Sequence, residues 1–346
     1  MTSTTGPVLT IVLLSYNSRN YLEQFLPGLI ENTPKEYPIV VVNNGSTDDT
    51  EDFLSEHYPE LRVITILKNK GFTNGYVESL SQIESDHYCL LSSDVEVSPG
   101  WTEAVMKVFA EDEKVAACQP KIKSWHRRNE FEYAGACGGY LDKYGYLFCR
   151  GRLFYTVEED KGQYNETAEV FWASGACFFV KSSLYHKLGG LDDDFYAHME
   201  EVDLCWRMKN AGYKIMSVPA SEVFHVGGSI ISYGSPGKTF RNYRNNLILL
   251  MKNLPAAQLI WKLPYRLVLD GVAFFHLLFT GQFILALTII RSHFSFHSHF
   301  FYWLKRRKEC QSMVKKGVRT TYYNKSIVWD YFISGKKYFS QLNWKA

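Results

Sequence analysis

The first hundred residues alternate short β-branched apolar runs with amphipathic stretches. Residues 8–14 (VLTIVLL) form one such run, and Ser15-Tyr16-Asn17 follows it directly. Residues 20–30 space their apolar positions as an amphipathic helix does. A second apolar run at 39–42 leads into Asn43-Asn44-Gly45-Ser46-Thr47-Asp48, a turn with a helix cap. A third at 62–67 precedes the turn Asn69-Lys70-Gly71-Phe72, and a fourth at 87–91 runs into Ser92-Ser93-Asp94. Strands separated by helical stretches of about ten to fifteen residues predict βαβ units and a parallel sheet. Every polar cluster falls just after a strand, the edge at which open α/β sheets bind ligands.

Residues 115–164 are rich in Gly, Tyr and Cys, with a basic stretch at 121–128, and predict short strands and loops over the cleft. An apolar run at 170–180 (VFWASGACFFV) is broken by Gly175, a short helix is expected at 182–188, and a strand at 214–218. The last third changes character. Residues 271–290 carry no formal charge and are long enough to cross a bilayer, although His276, Thr280, Gly281 and Gln282 interrupt them. An aromatic stretch at 292–304 and the cluster Lys305-Arg306-Arg307-Lys308 follow. A packed helix, an interfacial helical pair and a true span all fit. The pair is favoured, because Lys262, Arg266, Arg291 and the 305–308 cluster flank the run on both sides.

At 346 residues the chain can bury a large core. The expected organisation is a domain over 1–235, with a nucleotide-binding half at 1–115 and a catalytic half at 116–235, and a helical, membrane-associating region at 236–346. A net charge of +2 gives no case for a nucleic-acid partner. Seven scattered cysteines without a C-x-x-C pair argue against a disulfide framework or a zinc site. Together with an N-terminus lacking a basic-then-apolar leader, they predict a cytoplasmic protein.

The densest chemistry lies at 191–207, LDDDFYAHMEEVDLCWR, where Asp192, Asp193, Asp194, Glu200, Glu201 and Asp203 sit among large apolar residues. An apolar cleft would raise a carboxylate's pKa and make it a better base. Glu201 is the leading candidate. The competing interpretation is an amphipathic helix with Asp203 and Arg207 paired at i,i+4. Asp94, at a strand end, is placed to hold Mg²⁺ or Mn²⁺ on a diphosphate, and Glu96 shares its parity. His225, followed by Gly227 and Gly228, is a candidate second ligand beside a loop able to close. Asn43, Asn44, Ser46 and Asp48 offer groups for a base or ribose, although by themselves they read as an Asx turn and cap.

Taken in order, strand-SYN, VVNNGSTD, NKGF, LLSSDVEVSPGW, WASGAC, the acidic segment and FHVGG resemble family 2 glycosyltransferases of the GT-A fold, in particular their bacterial rhamnosyltransferase-like branch. The resemblance covers residues 8–229. It implies an α/β, Rossmann-like, mostly parallel central sheet flanked by helices, followed by a helical hydrophobic appendage. It places the nucleotide against Ser15, Asn17, Asn43 and Asn44, with Asp48, Gly71, Ser93 and Gly175 in the same strand-end clusters. The metal falls to Asp94, Glu96 and His225, and the acceptor to Trp172 and the entry around Asp192. Glu201 is the implied base, with Glu200 and Asp203 as alternates. Three positions depart from the family pattern: Asn43 stands where Asp is common, Ser92-x-Asp94 replaces D-x-D, and Glu201 replaces the Asp of E-D.

The expected activity is inverting transfer from a nucleoside-diphosphate sugar to a glycan or lipid-linked glycan, assisted by Mn²⁺ or Mg²⁺. It is expected at the inner face of the cytoplasmic membrane, with peripheral contact through 266–308. Alternatives are a weakened binding scaffold of the same fold and a sugar nucleotidyltransferase. The latter's Gly-rich basic loop is absent after the first strand.

Overall fold

The computed structural model describes residues 6–227, 234–318 and 320–344. The first half runs β1 (Leu9–Ser15), α1 (Arg19–Asn32), β2 (Ile39–Asn44), α2 (Thr50–His57), β3 (Arg62–Ile66), α3 (Phe72–Leu80), β4 (His87–Ser92), β5 (Val95–Val97) and α4 (Glu103–Glu111). A long strand, β6 (Val115–Ser124), is followed by the short β7 (Gly139–Leu141), β8 (Leu147–Cys149), β9 (Arg152–Leu153), β10 (Thr156–Val157) and β11 (Ala168–Val170). Then come β12 (Cys177–Lys181), α5 (Ser182–Lys187), α6 (Glu200–Asn210) and β13 (Lys214–His225).

Nine strands form the main sheet in the order β11-β13-β6-β12-β4-β1-β2-β3, with β5 paired to β13. The β4-β1-β2-β3 half is parallel, as the alternating pattern predicts, whereas β12 enters antiparallel between β4 and β6. Along β1, Leu9, Ile11 and Leu13 join one buried cluster and Val12 and Leu14 the other. Successive strand residues point to opposite faces, so a strand covered on both sides reads as one continuous apolar run. The strands β7 to β10 fold into a separate antiparallel ribbon beside the sheet.

The last third is helical: α7 (Pro236–Asn253), α8 (Ala256–Phe279), α9 (Phe283–Ser298), α10 (Phe300–Ser312) and α11 (Ile327–Phe332). Pro236 and the hydroxyl of Ser235, which accepts from the Lys238 N–H, start α7. Its residues Leu247 to Met251 belong to the same core cluster as Val12, Val42 and Leu90. The charge-free run is two helices, broken by a turn at Thr280-Gly281-Gln282 where Gly281 takes a φ of +77°. Among the described residues no helix is long and apolar enough to cross a membrane.

The flanking charges also turn out differently from expectation. Lys262 and Arg266 are buried, and Arg266 pairs with Asp270 and donates to Asn246. Arg306 binds Asp192 and Asp194, while Arg307 donates to the carbonyls of Met251 and Leu254. Arg306 thus ties the helical region to the domain, while Arg266 and Arg307 tie its helices to one another and Lys262 donates to Gln258 on its own helix. The outer face they leave is apolar: Val268, Val272, Phe275 and Phe279 on α8 and Phe283, Ile284, Leu287 and Phe294 on α9 are all exposed.

Candidate active site

A cavity of about 660 Å³ opens past the C-terminal ends of β1, β2 and β4, between them, the start of α6 and the inner side of α7. Leu14, Tyr16, Asn44, Asn69, Gly71 and Phe72 line one end. Asn44 is buried and donates to the Asn69 side chain and the Gly71 carbonyl, which leaves its own Oδ1 without a partner. The Ser93 hydroxyl is likewise buried and unpaired. Buried polar atoms without partners cost stability, and here they line a cavity able to take a polar ligand.

Asp94 sits in the turn leaving β4, and the end of β13 brings His225 against it, with Nε2 3.3 Å from the Asp94 Oδ1. On the other side of the ring, Nδ1 lies 3.6 Å from Glu132. Burial alone would lower the imidazole's pKa, but the Asp94 and Glu132 carboxylates hold it well above the ordinary range. The Asp94–His225 spacing suits adjacent ligands of one small cation, whose bonds are about 2.1 Å long. Among the described residues no group of three His, Cys, Asp or Glu side chains is arranged for a metal. With His225 held protonated, Asp94 is the group left to bind a cation, whose other ligands would come from a bound diphosphate and water, the usual arrangement for Mg²⁺ at phosphates.

Glu200 and Glu201 open α6 and line the same cavity. Burial pushes Glu201 up to about 7, against backbone groups of Glu201, Val202, Gly175 and Met199 that favour its ionised form. Glu200 is raised well beyond the usual carboxyl range, first by burial and then by Glu201. Adjacent carboxyls driven apart in this way can divide into a protonated partner and a base near neutrality.

The turn that delivers them is strained, with non-glycine residues Tyr196, His198 and Met199 at φ of 64°, 70° and 76°. Asn245 on α7 clamps it, its Nδ2 lying 3.0, 3.0 and 2.8 Å from the carbonyls of Phe195, Ala197 and His198. Gly71 packs so closely under it that a Cβ would lie 2.7 Å from the Tyr196 carbonyl oxygen.

Of the residues singled out from sequence, Asn44, Gly71, Ser93, Asp94, Trp172, Gly175, Glu200, Glu201 and His225 line this one cavity. The others do not. Glu96 faces a separate groove, where it accepts from Trp125 and pairs with Arg128. Asp203 is fully buried between Arg207, Lys252 and Asn253, and Asp192 between Lys252 and Arg306. These two are anchors for the helical region, not an alternate base and an acceptor entry.

Asn43 closes an Asx turn with Ser46, and Asp48 caps α2 through the Thr50 N–H. Asn17 binds the same turn through Thr47, and the Ser15 side chain is fully buried below it. Ser46, the remaining member of that turn, accepts from the Asn17 N–H through its hydroxyl oxygen. Gly228 lies outside the described residues.

Several lining residues carry no local signal in the chain. Lys238, Arg241, Asn242 and Tyr243 come from α7, Arg266 from α8, and Tyr146, Arg152 and Phe154 from the ribbon. His198, buried beside Lys238 and Arg241, is depressed to about 3 and is neutral.

A family model described as glycosyl transferase family 2 matches residues 10–189. The chain is 26% identical over 236 residues to an N-acetylglucosaminyl-diphospho-decaprenol L-rhamnosyltransferase of Mycobacterium tuberculosis, covering 63% of this chain and 76% of that one. It is 22% identical over 221 residues to the rhamnosyltransferase WbbL of Escherichia coli K12, covering 62% and 82%. Among solved structures it is similar to the mannosyltransferase PcManGT of Pyrobaculum calidifontis in complex with GDP-Man and Mn²⁺, with a TM-score of 0.51, 15% identity, and coverage of 90% and 86%. It is similar also to GalNAc-T7 with UDP, GalNAc and Mn²⁺, at a TM-score of 0.55 and 14% identity, covering 72% of this chain but only 48% of that one. These structural likenesses show the GT-A-type fold. The matched segment spans more than half of the chain and carries the strand-end clusters that build the cleft, and the chain belongs to glycosyl transferase family 2.

Proposed function

We propose that the protein is an inverting glycosyltransferase that moves a sugar, a deoxyhexose such as rhamnose, from a nucleoside diphosphate to a hydroxyl of a lipid-linked glycan. The observation that carries the reading is one cleft lined both by a carboxylate raised to about 7 and by the Asp94–His225 pair. Glu201, ionised at neutral pH in a meaningful fraction, would accept the acceptor hydroxyl's proton as that oxygen attacks the anomeric carbon. Direct displacement from the face opposite the leaving diphosphate inverts that carbon and requires no protein nucleophile.

Glu200, kept protonated, would leave Glu201 as the single negative charge at that point. Asn44, Asn69 and Tyr16 would position the nucleoside, and His225 with Lys238 would face the diphosphate. A Mn²⁺ or Mg²⁺ bound at Asp94 would neutralise charge on the leaving diphosphate.

The apolar outer face of α8 and α9 supports peripheral contact with the membrane that holds such an acceptor. Soluble monomers rarely expose so continuous an apolar surface. The test is Glu201→Gln, assayed for both donor consumption and glycan transfer. Transfer should fall by at least about a hundredfold, with donor affinity kept. Near-normal transfer would overturn the assignment of the base.

A further inference from the structure

We propose that an aromatic seam between the β7–β10 ribbon and helices α8 and α11 takes the hydrocarbon chain of the acceptor as it leaves the cleft. The inference rests on the reading of the cleft as a site for sugar transfer to a lipid-linked glycan, and it adds where the lipid runs.

The seam starts inside the cavity, which Tyr146 and Phe154 line. Their rings lie 6.4 Å apart, and Phe154 adopts a φ of 47°, a strained backbone for a bulky residue. Phe154 also packs on the Phe332 ring at 4.9 Å, and Phe332 is half exposed at the end of α11. From the other side of the same ribbon, Tyr144 stacks on Tyr265 of α8 at 4.4 Å, and Trp261 lies edge-on to it. Tyr265 and Trp261 are part of the exposed apolar face of α8. One set of rings therefore leads from the interior of the cleft to the half-exposed Phe332 on α11, and a second, on the other side of the ribbon, leads to the exposed apolar face of α8.

Two features select the occupant. The faces of these rings, and Phe154 and Phe332 entirely, give an apolar path that suits a hydrocarbon chain better than a peptide backbone, whose amides they leave unpaired. Beside the inner end of the seam the cavity wall carries Lys238, Arg241 and Arg266. Cations at the inner end and rings toward the outside match an amphiphile with an anionic head and an apolar tail, such as a prenyl diphosphate. The α8 face alone would be explained by membrane contact. The strained Phe154, lining the cavity and touching Phe332, is not.

The test uses the full chain with farnesyl diphosphate and inorganic diphosphate as probes, in the presence of saturating nucleoside diphosphate, read by thermal shift and tryptophan fluorescence. Farnesyl diphosphate should bind at least tenfold more tightly than inorganic diphosphate. Phe154→Asp should erase that preference, and Phe332→Glu, at a half-exposed position that cannot unfold the core, should reduce it. Equal binding of the two probes would overturn the proposal, as would a preference that survives both substitutions. So would a preference lost only with Val272→Glu on the outer face of α8, which would place the chain on the surface. Nucleoside diphosphate binding is measured on the same samples. Its absence from the unsubstituted protein would count against the reading of the cleft itself, while its presence with equal probe affinities would sink only the seam.

Discussion

Asn245 touches no reacting group under the proposed mechanism, yet its loss should slow the reaction. One Nδ2 reaches three carbonyls at 2.8 to 3.0 Å, so two hydrogens are shared among Phe195, Ala197 and His198. Each such bond is worth about 1 kcal/mol net, more where the carbonyl is left buried and unpaired, which puts the clamp at ~2–3 kcal/mol. The turn it holds contains three non-glycine residues at positive φ, each costing roughly 1–3 kcal/mol. The summed strain, roughly 3–9 kcal/mol, equals or exceeds what the clamp supplies, so Asn245→Ala should let the turn relax.

Glu201 lies two residues beyond Met199, so relaxation displaces it and admits water. A misplacement of about 1 Å costs on the order of a hundredfold in rate. The expectation is a kcat lower by that factor, a donor KM within about twofold, and a Tm lowered by less than about 10 °C. The pH profile is the decisive measurement. Burial holds Glu201 up at about 7, so activity should rise as pH increases through neutrality. In Asn245→Ala a better-solvated Glu201 falls toward about 4.3, and the acidic limb of kcat/KM should move to lower pH. A loss of kcat with an unmoved acidic limb would refute the reasoning and leave Asn245 a purely structural residue.

The remaining predictions concern the anchors, the cation and the lipid-facing surface. Lys252→Met should destabilise the fold by about 3–5 kcal/mol, since it leaves Asp192 and Asp203 buried without their shared cation; chemical unfolding measures it, and a change under 1 kcal/mol would argue against the anchor role. Burial would raise both carboxyls, but Lys252 with Arg306 or Arg207 holds them below their ordinary values. Their stabilisation is therefore complete above about pH 4 and is lost as pH falls further, so the unsubstituted protein's Tm should drop steeply there and that of Lys252→Met should not. Asp94→Asn should abolish the response of donor turnover to added Mn²⁺, measured by metal titration; an unchanged titration curve would place the cation elsewhere. Val268→Glu with Val272→Glu, both on exposed positions, should cut flotation with anionic vesicles severalfold while leaving Tm within about 2 °C; unchanged flotation would remove α8 from the membrane contact.

What could be read from the chain and what could not divide along sequence distance. The β1, β2 and β4 runs announce themselves because a strand buried on both faces is a local pattern, and the polar clusters after them carry Asn44, Ser93 and Asp94 into the cleft with no further information. Glu201 was legible for the same reason, since the apolar neighbours that desolvate it are largely its own. The i,i+4 pairing of Asp203 with Arg207 was legible too, but the further cations of Asp192 and Asp203, Lys252 and Arg306, arrive from helices 49 to 114 residues later.

Glu96 failed on a local point. The turn at Asp94 ends β4, so strand parity does not carry across it to β5. The flanking basic residues misled in a more instructive way. Charges beside an apolar run suggest lipid headgroups, but Lys262, Arg266 and Arg307 turn inward onto amides, a carboxylate and carbonyls of α7 and α8, and Arg306 onto Asp192 and Asp194 of the domain. That inversion explains how the last third can be both tightly docked and apolar outside. Arg244, Asn245 and Asn246 hold α7 against the strained turn and the ribbon, while the exposed face of α8 and of the start of α9 is made of rings and aliphatic side chains. The same docking that shapes the cleft wall also produces the apolar surface, so a substitution that loosens α7 or α8 from the domain should impair sugar transfer and lipid contact together.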